Sequence, residues 1–392
     1  MSTFLHAANS EWANRPADER FWTLRDMRIA CETARANSIG KRVSFNALRA
    51  APTENGKAVA LWHDASEPAR FTHYAFGQLC GAVQAPASYL RELPAHVAAD
   101  CLNAGLIRAS NTDRTPRDLL FHKNGGLTLR ACLSDRYDRV WDNELCAMLE
   151  RLDGWRPPAG RVSYSPGAEA DARNRPATAD DILPGQINIK EGDVIGPAGL
   201  YASDHDMFAF LVAPDRVISD GGTGSLMRGI FVRNSEVGDA SLSVTFFLMQ
   251  AVCGNHIVWN ATGVHEIRVR HLGEGTLKRA FRGFEAELRR YHDSAAEEEK
   301  GILAARRLVL GDTKEEVLDA LCKYAKGHSI PLSRPRFLEA YETAEEHRDW
   351  YGDPRSLWAN IAGLTHASQK TGFADDRTVV DKSAGKLMAM AF

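Results

Sequence analysis

Residues 228–259 read RGIFVRNSEVGDASLSVTFFLMQAVCGNHIVW. Gly229 to Arg233 has the composition of a short strand. Asn234-Ser235-Glu236 is a polar turn. The apolar run Ser241 to Val252 follows. Periodicity alone does not separate a buried helix from a buried strand in such a run. Its length, with Leu248, Met249 and Gln250, favours a helix. A second polar turn, Gly254-Asn255-His256, closes it, and His256 to Trp259 reads as another strand. The two turns are either a site or the joints that position the apolar centre.

Upstream, Gln186 to Lys190 and Met207 to Ala213 read as strands. Residues 156–186 are rich in Pro, Gly, Ala and Asp and form a surface loop or linker. Leu127, Leu129, Ala131 and Leu133 share one parity; Thr128, Arg130, Cys132 and Ser134 share the other. That pattern is a half-buried strand, opened by the turn Asn124-Gly125-Gly126. Asp142 or Asn143 caps a helix through Leu145, Met148, Leu149 and Leu152, which Gly154 stops. The first 110 residues look mixed, with short helices around Phe21–Ile29, Thr72–Cys80 and Ala87–Leu93.

Downstream, Val264 to His271 reads as a strand. From Thr276 the chain turns helical, because Leu277, Phe281, Phe284, Leu288 and Tyr291 form an apolar stripe at helical spacing. Asp312 and Glu315 suggest a capping box, and Gly327 closes the helix that follows. The expected fold is α+β: a central, mostly antiparallel sheet with packed helices and a helical C-terminal region. Residues 1–115 are expected to form a mixed N-terminal region and 116–292 a central α+β domain. Residues 293–392 are expected to be helical, with a weakly ordered tail from 370.

The 392 residues are 44% hydrophobic and 25% charged, an ordinary globular mix that can bury a core. A net charge of −3 removes any global electrostatic signal for nucleic acid, so polyanion binding needs a local patch. The seven cysteines lack zinc or thioredoxin spacing and read as reduced thiols. The N-terminal MSTFLHAANSEW has no basic n-region and no apolar core, and no stretch is long enough to span a membrane. A cytoplasmic protein with no membrane partner is expected. Self-association is left open, and no cofactor is implied.

The opening stretch, with LYASDHDMFAFLVAP (200–214) before it and HEIRVRHLG (265–273) after it, resembles a phage- and plasmid-borne family of unknown function. LSDRYDRVWDNEL (133–145) is similar to that family's other recurrent stretch. The resemblance spans about residues 120–290. It implies a mobile-element setting, whose proteins often act on DNA, rather than a mechanism.

Several constellations carry candidate chemistry. In Val264–His271, Ile267 and Val269 share one parity and Arg268 and Arg270 the other. If the aliphatic pair faces the core, both arginines project to solvent. Lys278, Arg279 and Arg282 follow, then Arg289 and Arg290, and Arg228 and Arg233 join them if their strand is adjacent. Pooled, these charges would track phosphates; otherwise they pair with Glu285 and Glu287 and hydrate. The expected function is a non-enzymatic accessory protein binding DNA, single-stranded above all, in replication or recombination.

One alternative is a metal-dependent hydrolase of nucleic acid or nucleotides. It would use Asp204 and Asp206 with Glu236, Asp220, His256 or His265, although no ligand spacing matches a helical metal motif. Another is a protein that binds and interferes with a host factor. Asn234, Glu236, Asn255 and His256 form a possible polar site. Asp220-Gly221-Gly222-Thr223-Gly224-Ser225 lacks the Lys-Ser/Thr of a phosphate loop and reads as a hairpin connection. Cys253 and His256 offer a thiol and a base with no readable oxyanion hole. Trp141, Trp155, Phe231 and Trp259 would either stack bases or fill the core.

Overall fold

In the computed structural model, residues 19–63, 67–158, 160–162, 171–182, 189–197, 199–219, 225–250, 255–257, 266–273, 275–293, 295–368, 380 and 383–391 are described. After β1 (Arg20–Phe21), the Thr23 hydroxyl accepts from the Asp26 amide and starts helix α1 (Leu24–Ala36), which buries Leu24, Met27 and Cys31. The first sheet then collects β2 (Ser38–Val43), β3 (Leu48–Pro52), β4 (Val59–His63) and β5 (Ala69–Phe71). Helices α2 (His73–Ala82), α3 (Ala87–Glu92) and α4 (Ala95–Thr112) come next in the chain. The hairpin β6 (Arg117–Lys123) and β7 (Leu127–Ser134) completes the sheet.

The order is β2-β6-β7-β5-β4-β3, antiparallel except for β5 beside β7. Leu79, Leu102 and Leu106 of the helices pack on Leu61, Leu119 and Leu129. Because β2 pairs with β6, the boundary expected at residue 115 falls inside this sheet.

One register shift in this sheet matters. Leu120 faces Ala131 while Phe121 faces Leu129, so Arg130 is the extra residue of a β-bulge. The strict alternation expected for 127–134 therefore breaks at Arg130. Leu129 and Cys132 enter the core under the helices, whereas Ala131 and Leu133 pack on the other side with Leu120 and Val237.

Helix α5 (Asp142–Leu149) follows, then a three-stranded sheet of β8 (Arg161–Val162), β9 (Arg175–Pro176) and β10 (Val194–Gly196). The second large sheet contains β1 with β11 (Leu200–Ala202), β12 (Met207–Ser219), β13 (Ser225–Asn234), β14 (Leu242–Gln250), β15 (Asn255–Ile257) and β16 (Glu266–Val269). All its pairings are antiparallel, and β15 and β16 share the outer edge of β14.

The apolar run expected to be helical is thus a strand. β14 pairs with β13 from Arg233↔Ser243 to Leu226↔Gln250. Val244, Phe246 and Leu248 face the large core, while Phe247 joins Phe210 in an aromatic layer on the opposite face. A strand buried on both faces loses its alternation and imitates a buried helix. Gly229, opposite Phe247, leaves room for that ring: a Cβ there would lie 2.3 Å from it.

The C-terminal region is helical: α6 (Thr276–Asp293), α7 (Ala295–Arg307), α8 (Lys314–Gly327), α9 (Arg334–Glu346), α10 (Arg348–Tyr351) and α11 (Leu357–Ser368). The capping box lies at Thr313 and Glu316, one residue later than expected. Phe284, Leu321, Phe337, Trp358 and Leu387 share one core with the second sheet, so no separate core begins at residue 293. Most of the expected tail, 370–379, 381–382 and 392, lies outside the described residues, yet Leu387 and Met388 are buried. The fold is α+β, and no described helix is long and apolar enough to cross a membrane.

Candidate functional site

The turn from Asn234 to Gly238 ties the two large sheets together. Its backbone carbonyls accept hydrogen bonds from four side chains of the first half of the chain. Tyr137 Oη donates to Ser235 (2.7 Å), Arg139 Nε to Glu236 (2.9 Å), Gln78 Nε2 to Val237 (2.6 Å) and Tyr74 Oη to Gly238 (3.2 Å). Ser235 Oγ donates to the His205 carbonyl at 2.6 Å. Groups that would be orphaned in a buried turn are satisfied this way, which fixes the turn.

Inside the turn sits a network of ionisable groups. The bulge turns Arg130 toward the second sheet. There its Nη1 donates to Glu236 Oε2 at 3.2 Å, and Nε and Nη2 donate to the Asp204 carbonyl at 3.0 and 2.6 Å. Glu236 Oε1 accepts from the Asp142 amide at 3.0 Å, placing a carboxylate at the start of α5. Asn234 Nδ2 donates to Asp142 Oδ1 at 2.6 Å and to the Val140 carbonyl at 2.9 Å. Exposure is 5% for Arg130, 4% for Asp142, 0% for Asn234 and 3% for Glu236.

Burial, and then the nearby Glu236 carboxylate, push the Asp142 carboxyl well above the usual carboxylate range. The hydrogen bond from Asn234 and the Arg130 charge offset this only in part. His122 of β6 is held below the usual imidazole range by burial and by Arg130. The Cys31 thiol is raised by its hydrogen bond with Cys146 and by burial. A cleft of about 410 Å³ opens over these groups, with Thr128 and Arg130 on its β7 wall and Ala30, Cys31 and Ala34 on its α1 wall. A concave cleft lined by a carboxyl raised by burial is a candidate binding site.

The structure divides the possible polar site. Asn234 and Glu236 converge. Asn255 and His256 lie in β15, opposite Gln250 and Met249, at the far end of β14. Eight residue steps of strand separate that end from Leu242, roughly 27 Å. The side chains of Asn255 and His256 are outside the described residues, as are Asp220, the loop 221–224, Cys253, Trp259 and His265.

Among the described residues the metal candidates do not converge either. Asp206 is buried and accepts from Tyr201 Oη (3.0 Å) and Ser203 Oγ (2.8 Å), while Asp204 Oδ1 meets His205 Nδ1 at 2.7 Å. No group of three or more metal-ligating side chains occurs among the described residues.

Two candidate phosphate contacts are displaced from the surface. Arg228 is 2% exposed, with its guanidinium 5.0 Å from the Tyr291 ring centroid under α6. Arg233 is mostly buried, donating to Asp239 at 2.9 Å and lying over Phe208. Both belong to a strand covered on its two faces, where parity offers no solvent side. Phe231 and Trp155 are likewise core residues, while the Trp141 ring lies 4.8 Å from the Arg35 guanidinium and 5.5 Å from that of Arg139.

Arg268, Arg270, Lys278, Arg279 and Arg282 are exposed. Arg136, which sequence reasoning missed, is also exposed, and its carbonyl accepts from the Gly273 amide at 3.3 Å. Arg130, Asp142 and His122 were missed too. Only the position of Asp142 at a helix start was visible in the sequence.

Compared with protein-family models, with curated proteins and with solved structures, the chain gives no match in any of the three.

Proposed function

We propose that the chain binds a nucleic-acid backbone on the face formed by β16 and α6. The observation that carries the reading is the sorting of charge there. Ile267 and Val269 pack against the core, while Arg268 and Arg270 project to solvent from an edge strand. Helix α6 buries Ala280, Phe284 and Tyr291 and exposes Lys278, Arg279, Arg282, Arg289 and Arg290. Asp138 Oδ2 accepts from the Thr276 amide at 2.7 Å, which fixes the start of the helix beside the strand's exit.

Fixed cations neutralise phosphates and release counterions, giving affinity without sequence preference. Glu287 pairs with Arg290 at 3.1 Å and removes part of that charge. The binding surface is formed by the exposed Arg268, Arg270, Lys278, Arg279 and Arg282. The mobile-element setting implied by the family resemblance favours DNA and a non-enzymatic accessory role in replication or recombination.

Fluorescence anisotropy with single- and double-stranded oligonucleotides at low salt tests the reading. Micromolar or tighter binding is expected, with loss of at least about tenfold in Arg268→Glu/Arg270→Glu. No binding at micromolar protein, or unchanged binding in the variant, overturns it.

A further inference from the structure

The cleft at the Arg130 bulge has no part in that reading, and its chemistry is different. We propose that it binds a small organic cation, an amine or guanidine with an apolar body, through the Asp142 carboxyl.

Four carboxylate residues line the cleft: Glu19, Asp142, Asp204 and Glu236. Against them stand Arg130, whose guanidinium already serves Glu236 and the Asp204 carbonyl, and a His122 kept neutral. An anion entering here would meet excess negative charge, and a cation would be complementary to it.

Asp142 supplies a specific anchor. It is almost fully buried and lines the cleft. Its Oδ1 accepts from Asn234, and its Oδ2 has no hydrogen-bond partner among the described residues. A carboxyl oxygen that reaches the cleft from a largely desolvated residue is costly to ionise alone; with an ammonium against it, the pair is charge-assisted and strong. Phe21, Ala30, Ala34 and Ala202 form an apolar wall for the ligand's body. The volume of about 410 Å³ lies within the roughly 300–1,000 Å³ typical of small-molecule sites.

The bulge is the device that makes the site. Without the extra residue in β7, Arg130 would not be turned to clamp Glu236, and Asp142 would lose the fixed carboxylate at its amide.

A free Asp142 carboxyl holds its proton; the cation binds the carboxylate, and one proton leaves to solvent. Facing Asp142 are Glu236 and Asp206, which hold the proton on, Arg130 and Asn234, which favour its loss, and the Cys31 thiol of α1. Affinity therefore strengthens as pH rises.

Isothermal titration calorimetry on the full chain tests this with phenethylamine, agmatine and spermidine beside 2-phenylethanol and 3-phenylpropionate. At least one amine is expected to bind with a Kd near or below about 1 mM, and the alcohol and the acid at least about tenfold more weakly. Asp142→Asn keeps an oxygen for Asn234 and should fold, yet lose about tenfold or more of amine affinity. Its DNA affinity should equal wild type, so failure of the amine proposal is distinguishable from failure of the nucleic-acid reading. Absence of amine binding, equal binding of the carboxylate, or undiminished binding by folded Asp142→Asn overturns the proposal.

Discussion

The joint between the two sheets makes a strong energetic prediction. Arg130 Nη1 and Glu236 Oε2 meet at 3.2 Å with both side chains at most 6% exposed. Arg130→Met leaves the Glu236 carboxylate without its cation, and it also removes two donors from the Asp204 carbonyl. Removing one partner of a buried pair costs about 3–5 kcal/mol, because the remaining charge stays desolvated. Glu236→Gln keeps an oxygen for the Asp142 amide but leaves the guanidinium facing a neutral amide. It should cost toward the lower end, about 3 kcal/mol.

The double variant Arg130→Met/Glu236→Gln strands no charge. Its loss should fall short of the sum by at least about 1–2 kcal/mol. Urea denaturation followed by tryptophan fluorescence and by circular dichroism measures all three from the shift in midpoint at constant slope. Single variants within about 0.5 kcal/mol of wild type, or strict additivity in the double, would refute the clamp.

Gly229→Ala should destabilise by about 1–3 kcal/mol, since its Cβ would lie 2.3 Å from the Phe247 ring, and Phe247→Leu should restore part of the loss; a neutral Gly229→Ala contradicts the packing. Because the folded-state value of Asp142 is raised, the stability it contributes is present below its ordinary value of 3.8 and lost as pH rises above it. The Tm of Asp142→Asn relative to wild type should therefore climb between about pH 4 and 8, and a flat difference counts against the raised carboxyl. His271, stacked on Tyr137, has the opposite sign: burial depresses it, so its contribution is present above 6.5 and lost as pH falls; His271→Gln should flatten the acid side of the stability curve. Maleimide should label exposed Cys101 first among the described cysteines, while buried Cys132, pushed up to about 12, and Cys80, pushed up to about 11, react only on unfolding; early labelling at Cys132 would contradict its burial.

The α+β class, the hairpin at Asn124-Gly125-Gly126, α5 and the amphipathic stripe of α6 were legible, because turn chemistry and helical spacing are local signals. β14 was not. Its burial on both faces erased the period of two, and only pairing with β13 distinguishes it from a helix. Beyond that hairpin, the first sheet was not legible for a related reason: β2 and β6 are far apart in sequence, and nothing local announces their pairing.

The parity of Ile267 and Val269 against Arg268 and Arg270 was readable because β16 is an edge strand with one solvent face. The same reasoning misplaced Arg228 and Arg233 in β13, an interior strand. Of the polar cleft, Asn234 and Glu236 were visible as a polar turn. Arg130 was hidden, since a bulge depends on the register of two strands and not on the residue itself.

Salt dependence of single-stranded oligonucleotide binding tests the central claim most directly. Each phosphate neutralised contributes about −0.7 to the slope of log K against log salt. With five exposed cations on the β16–α6 face, a wild-type slope of about −3.5 is expected. Arg268→Glu/Arg270→Glu should flatten it by at least about 1. A wild-type slope near zero, or the same slope in both proteins, would contradict phosphate binding at this face.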